Sequence, residues 1–108
     1  IHGKLDYIIY YHQDWDWKDG EHEGAGTMSE VPNLIEYWAA KSSCQANSVE
    51  TSLTEEHITH NDCMDDVIIE HYGLQLWDHN WPGEVGGEPT YELMWNFLSQ
   101  FSKDSSTV

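Results

Sequence analysis

His79 and Asp6 are the two side chains of this 108-residue chain best placed by pattern to do chemistry. His79 follows the run Ile69-Glu70-His71-Tyr72-Gly73-Leu74-Gln75-Leu76-Trp77-Asp78 and stands directly before Asn80-Trp81-Pro82-Gly83. The run reads as a strand, and the Pro-Gly pair stops it. A histidine at a strand end, ahead of a rigid turn, is where an α/β enzyme can place a general base. Asp6 follows Ile1-His2-Gly3, which reads as the last residue of a buried strand entering a loop, the strand itself lying before Ile1. Asp6 then falls on the same rim as His79. The bland alternatives are a loop histidine beside a packing tryptophan and a solvated loop aspartate.

Two other groups of residues invite chemistry. His57, His60 and Cys63 are three soft-metal ligands within seven residues, with Asp62 or Asp65 available as a fourth. Zinc takes such ligands, but a structural site closes with four, and no standard finger spacing is present. Between His12 and Gly26, Asp14, Asp16, Asp19, Glu21 and Glu23 alternate with Trp15 and Trp17. Alternating oxygen ligands suit calcium, yet Lys18 falls where an EF-hand wants its third ligand and no glutamate closes the loop. This stretch reads as a solvated acidic surface loop, and neither a metal nor a cofactor is expected.

The elements that must position these residues are few. Val31, Leu34, Ile35, Trp38 and Ala39 follow the spacing of one helical face. Ser29 is a good N-cap, Pro32 sits in the first turn, and the helix should end between Lys41 and Ser43. Val49, Thr51 and Leu53 alternate and allow a short strand. Asp66 to Leu76 is the main strand. Thr90 then caps a second helix whose stripe is Leu93, Met94, Phe97, Leu98 and Phe101, and residues 103–108 form a polar tail. The order is that of an α/β fold, with residues 1–102 as one unit. One or two strands cannot cover two apolar helical faces, so the sheet is expected to be incomplete on its own, with other polypeptide supplying the rest.

Composition narrows the partners. Twenty acids stand against four lysines, with no arginine, for a net charge of -16. That excludes nucleic-acid phosphates and an anionic membrane surface. It fits a protein in salty water or one that meets a basic partner. No apolar run is long enough to span a bilayer. Six Trp and six Tyr argue for a packed protein. Cys44 and Cys63 can form one bridge in an oxidising compartment, although the count alone does not decide it.

Ile1-His2-Gly3-x-x-Asp6, followed far downstream by His79-Asn80-Trp81-Pro82-Gly83, resembles the C-terminal part of secreted α/β-hydrolase esterases. These are the feruloyl esterase, acetyl xylan esterase and polyhydroxybutyrate depolymerase-like family. Its members look like HGTxD after a late strand, then a helix ending in WAxxxxC, then VxLYxIxGGGHxWPG, then a last helix with WxFF. Here the first helix reads Tyr37-Trp38-Ala39-Ala40-Lys41-Ser42-Ser43-Cys44, the strand runs from Ile69 to Leu76 in register up to the histidine, and the last helix reads Glu92-Leu93-Met94-Trp95-Asn96-Phe97-Leu98.

The resemblance implies a fold, the C-terminal portion of an α/β-hydrolase, and roles for residues. Asp6 matches the triad acid and His79 the general base, with Trp77 and Trp81 lining the substrate site. The family's nucleophilic serine lies in a G-x-S-x-G elbow upstream of both. That motif is absent here, so the serine, the oxyanion hole and most of the sheet are expected N-terminal to Ile1 or on a companion chain. A Cys44–Cys63 disulfide is implied, with a secreted or otherwise oxidising location. Leu76-Trp77-Asp78 replace the family's glycines before the histidine, and Lys4, which can pair with Asp6, replaces its threonine. The expected activity is hydrolysis of a feruloyl or acetyl ester or a polyester. The alternative is a catalytically inactive esterase-like domain serving as a structural or binding subunit.

Overall fold

The computed structural model describes residues 1–16 and 27–102. The acidic stretch considered for calcium lies largely outside those residues, as does the polar tail. The chain forms β1 (His2–Gly3), β2 (Trp15–Asp16), β3 (Thr27–Met28), helix α1 (Val31–Lys41), β4 (Ala46–Thr51) and β5 (Glu55–Asn61). A 3-10 turn at Met64–Asp66 leads to β6 (Ile69–Leu74), β7 (Glu84–Val85), β8 (Glu88–Pro89) and helix α2 (Thr90–Leu98).

The main sheet is mixed, with strand order β1-β6-β5-β4. Short β1 lies parallel to β6, with His2 opposite Gly73 and Gly3 opposite Leu74. β5 is antiparallel to both β6 and β4. β2 and β3 pair across the ends of the acidic loop, so its flanks are extended rather than irregular. The β4–β5 hairpin is the main departure from the sequence expectation of a single short strand. β5 reads Glu-Glu-His-Ile-Thr-His-Asn, with Ile58 its only aliphatic residue. Its polar side chains find partners across the sheet instead. The His57 ring stacks on Tyr72 at 4.1 Å and its Nε2 meets Glu70 Oε1 at 2.8 Å, while Lys4 Nζ reaches Glu56 Oε1 at 3.3 Å.

Cys44 and Cys63 form a disulfide. The register explains why they meet: Ala46 pairs with Asn61, and the Gln45 amide donates to Asp62 O at 3.1 Å, so the next step outward sets Cys44 beside Cys63. The Cys44 amide also donates to Ala39 O, tying the end of α1 to the base of the hairpin. A disulfide is compatible with an oxidising compartment.

Both helices lie where the apolar spacing placed them, but neither begins as expected. The residue before α1 is Glu30, and its side chain makes no capping bond. The start is held from outside the helix: Val31 N–H donates to Tyr11 O at 2.9 Å, and Glu30 N–H to the Asp14 side-chain Oδ1 at 2.8 Å. Ser29 is therefore not the cap. Thr90 is the first residue of α2 rather than its cap, and its hydroxyl donates to Pro82 O at 2.8 Å.

The core is small: Tyr11, Val31, Ala39, Leu74 and Val85. Part of each apolar stripe stays exposed, with Trp38 on α1 and Leu98 on α2 each at 55%, and Trp95, beside the α2 stripe, is 68% exposed. Among the described residues no helix is long and apolar enough to cross a membrane.

Candidate functional site

Asp6 and His79 come together at the end of the β1–β6 parallel pair. The chain leaves β1 through a tight turn in which Asp6 N–H donates to Gly3 O at 3.2 Å. Lys4 N–H donates to Leu74 O at 2.8 Å and Leu5 N–H to Trp77 O at 2.9 Å, which lash this turn to the segment leaving β6. The two backbones approach so closely that residue 3 has no room for a side chain. A Cβ there would overlap the carbonyl oxygens of Trp77 and Asp78. Glycine at this position is what lets Asp6 reach the histidine loop.

The Asp6 side chain is 4% exposed and accepts three hydrogen bonds. Oδ1 accepts the backbone N–H groups of Ile8 and Ile9, each at 2.8 Å. Oδ2 lies 2.7 Å from His79 Nδ1 and 3.2 Å from His2 Nε2. Burial pushes the carboxyl pKa upward, but the bonds from His79, Ile9 and Ile8 outweigh it and hold Asp6 below its ordinary value. Asp6 is therefore an acceptor at neutral pH, so His79 Nδ1 carries the proton. In the neutral ring Nε2 then carries the lone pair, and the side chain is 46% exposed.

The loop bearing His79 is fixed at both ends. β6 delivers it. Beyond the turn, Thr90 anchors it through the bond to Pro82 O and through Thr90 N–H to Gly83 O at 3.1 Å. Trp77 Nε1 donates to Asn80 O at 2.8 Å, and Asn80 Nδ2 to Asp78 Oδ1 at 2.7 Å, so the side chains on either side of His79 brace its loop. Around the pair is an open cleft of about 240 Å³ walled by Leu74, Trp77, Asp78, Trp81 and Pro82. Trp77 and Trp81 therefore both face the cleft that holds His79. No serine, threonine or cysteine lines it among the described residues.

Two alternatives that the sequence left open are not what the structure forms. Lys4 pairs with Glu56 rather than with Asp6. His57, His60 and Cys63 do not converge: His57 and His60 are an odd number of residues apart on β5 and point to opposite faces, and Cys63 is in the disulfide. Among the described residues no group of three or more His, Cys, Asp or Glu side chains is placed to hold a metal ion.

Two polar features were missed in the sequence. His2 stands beside the Asp6 carboxylate and bonds Ile9 O at 2.9 Å. Tyr11 Oη bonds His71 Nε2 at 2.9 Å in the core behind the site, where burial pushes Tyr11 up to about 12 and His71 down to about 4. His71 stood in the sequence as part of the strand that leads to His79, and the signal for its burial was the glycine two residues later. A Cβ at Gly73 would meet Tyr11 Oη at 2.6 Å.

Comparison with protein-family models, with curated proteins and with solved structures finds no match for this chain.

Proposed function

We propose that this chain is the acid-and-histidine part of a serine carboxylic-ester hydrolase, built as the C-terminal portion of an α/β-hydrolase domain. The observation that carries the proposal is the Asp6–His79 pair at 2.7 Å, with a buried carboxylate that fixes the tautomer and a histidine Nε2 open to a cleft. In that role His79 Nε2 takes the proton of a serine hydroxyl as the oxygen attacks an ester carbonyl. It then returns the proton to the departing alkoxide, while Asp6 stabilises the imidazolium formed in between.

The serine and the oxyanion donors must come from other polypeptide, either an N-terminal portion or a companion chain. Support comes from the cleft, which offers the base no hydroxyl or thiol. Further support comes from the exposed aromatic and aliphatic residues on α1 and α2 and from β1, a two-residue strand at the sheet edge. Exposed apolar area on this scale calls for a cover. Trp77 and Trp81 flank the base and suit a feruloyl or acetyl ester or a polyester. The disulfide suits a secreted protein.

A second reading keeps the fold and removes the chemistry. Trp77 and Asp78 immediately precede His79 where the resembled family has glycines, and Trp81 is 67% exposed. Those residues crowd the rim, and the domain then serves as a structural or binding subunit. Intact mass of the native material, with and without reductant, followed by terminal sequencing and assay on methyl ferulate and p-nitrophenyl acetate, separates the two. Extra sequence bearing G-x-S-x-G, with ester turnover, supports the esterase. A mass of 12.5 kDa, with no serine-bearing companion and no turnover, leaves the structural reading.

A further inference from the structure

His2 stands beside the Asp6 carboxylate and bonds the turn that holds it. Its Nε2 stands 2.9 Å from the Ile9 carbonyl oxygen and 3.2 Å from Asp6 Oδ2. A carbonyl oxygen can only accept, so Nε2 of His2 must carry the proton, whichever form the rest of the ring takes. That N–H is bonded to the carbonyl of Ile9, whose own amide holds Asp6 Oδ1, and the oxygen that holds His79 stands beside the ring. The His2 side chain is 20% exposed and lies on β1, in register with Gly73 of the strand that delivers the His79 loop. The imidazole thus bridges the two supports of the dyad, the 8–9 turn and the β1–β6 pair.

We infer that His2 is a positioning residue: its Nε2–H, donated to Ile9 O, fixes the 8–9 turn whose amides hold the Asp6 carboxylate in the rotamer that faces His79 Nδ1. Without it, the 8–9 turn loses its tie to β1, and the amides of Ile8 and Ile9 hold Oδ1 less firmly. Asp6 then becomes more basic and more mobile, and its grip on the His79 Nδ1 proton loosens. His2 would not itself touch a substrate. The inference rests on the reading of His79 as a general base, but its test does not depend on turnover.

The test is NMR on the full chain carrying 13C and 15N labels. In the unaltered protein, the nitrogen shifts of His2 should show the Nε2–H form at neutral pH. The Nδ1–H form, or rapid averaging of the two, would overturn the assignment, and this measurement needs no variant. Replacement His2→Leu removes the donor, whereas His2→Gln keeps an N–H at about the reach of Nε2. The Leu variant should titrate Asp6 at a higher pH, by about 0.5 to 1 pH unit. It should also exchange the His79 Nδ1 proton with water roughly threefold to tenfold faster, with amide exchange in β5 and β6 unchanged. The Gln variant should behave as the unaltered chain. A folded Leu variant with the unaltered Asp6 titration and Nδ1 exchange would refute the positioning role. So would a Gln variant that loses as much as Leu, because that is the mark of packing rather than of a donated bond.

Discussion

Asp6 Oδ2 meets His79 Nδ1 at 2.7 Å although 73 residues separate them in the chain. The backbone of the 8–9 turn determines which oxygen does so. Because Ile8 and Ile9 N–H groups both donate to Oδ1, only Oδ2 is left to face the ring. The carboxylate is oriented before the histidine arrives, and the histidine tautomer follows from it.

That asymmetry makes Asp6→Asn informative. The two backbone donors require an acceptor, so the amide oxygen of Asn takes the Oδ1 position and its NH2 faces His79. Nδ1 must then accept, the proton moves to Nε2, and the base is lost without a change of shape. Nitrogen-15 shifts of His79 in this chain should report the switch of tautomer directly. In the complete enzyme of the proposed function, turnover should fall by about 10⁴-fold. His79→Ala should abolish turnover to a similar degree with the fold intact. Turnover like that of the unaltered enzyme in either variant would refute the triad roles.

Gly3→Ala should damage the site through the backbone. The added methyl would overlap the carbonyl oxygens of Trp77 and Asp78, and neither is the end of a flexible side chain. The β1 turn and the His79 loop must separate. Forced overpacking of this kind costs about 1–3 kcal/mol. Urea denaturation should show that loss as a lower midpoint with an unchanged slope. The His79 Nδ1 proton should also lose its protection from exchange. A variant as stable as the unaltered chain would mean that the two segments are not held in contact.

How much of this was legible in the sequence depended on whether a residue's role is local. The helices were legible because their apolar spacing is written in consecutive turns, and Asp6 and His79 stood out because each lies at a strand end beside a turn former. The helix starts were not legible. Ser29 and Thr90 are good capping types, but Tyr11 O, Asp14 and Pro82 O, all distant in sequence, settle those ends. β5 was hidden for the same reason, since a strand of Glu, His and Thr looks like loop until Glu70, Tyr72 and Lys4 are brought alongside it. The role of His2 depends on Ile9 O and, through that turn, on Asp6, and no spacing rule reports such a relay of bonds.

Reduction of Cys44–Cys63 should loosen the hairpin that carries β4 and β5 and leave the dyad in place. The bridge closes a segment of sequence separation 19, for which chain-entropy reasoning gives about 3 kcal/mol. The core holds few fully buried apolar side chains, so that is a large share of the stability. Thermal melts with and without reductant, and of the Cys44→Ser/Cys63→Ser double variant, should show matching losses. The bond between Asp6 and His79 should survive at temperatures below the new midpoint, because neither residue lies on the hairpin. Loss of the His79 Nδ1 proton signal on reduction in the still-folded protein would show that the hairpin supports the site.

His71 should make stability depend on mildly acidic pH. It is 3% exposed, bonded to Tyr11 Oη, and its pKa is lowered from 6.5 to about 4 by burial, with the charges of the N-terminus, His2 and Lys4 adding to the effect. Between those two values the unfolded chain binds a proton at this residue and the folded chain does not. Stability due to His71 is therefore full above pH 6.5 and declines as pH falls towards 4, by about 2–3 kcal/mol. Asp6 acts in a lower window: its depressed pKa adds stability above its ordinary value of 3.8, and that stability is lost only as pH falls through the folded value. Urea midpoints at pH 7, 5.5 and 4 should track the His71 loss. The comparison is the Tyr11→Phe/His71→Leu double variant, which removes both partners and leaves no unpaired polar group behind. It should show the flatter profile across pH 6.5 to 4 while keeping the decline that Asp6 causes below. Equal slopes in the two proteins would mean that His71 takes up its proton inside the fold, and that the Tyr11 bond does not keep it neutral.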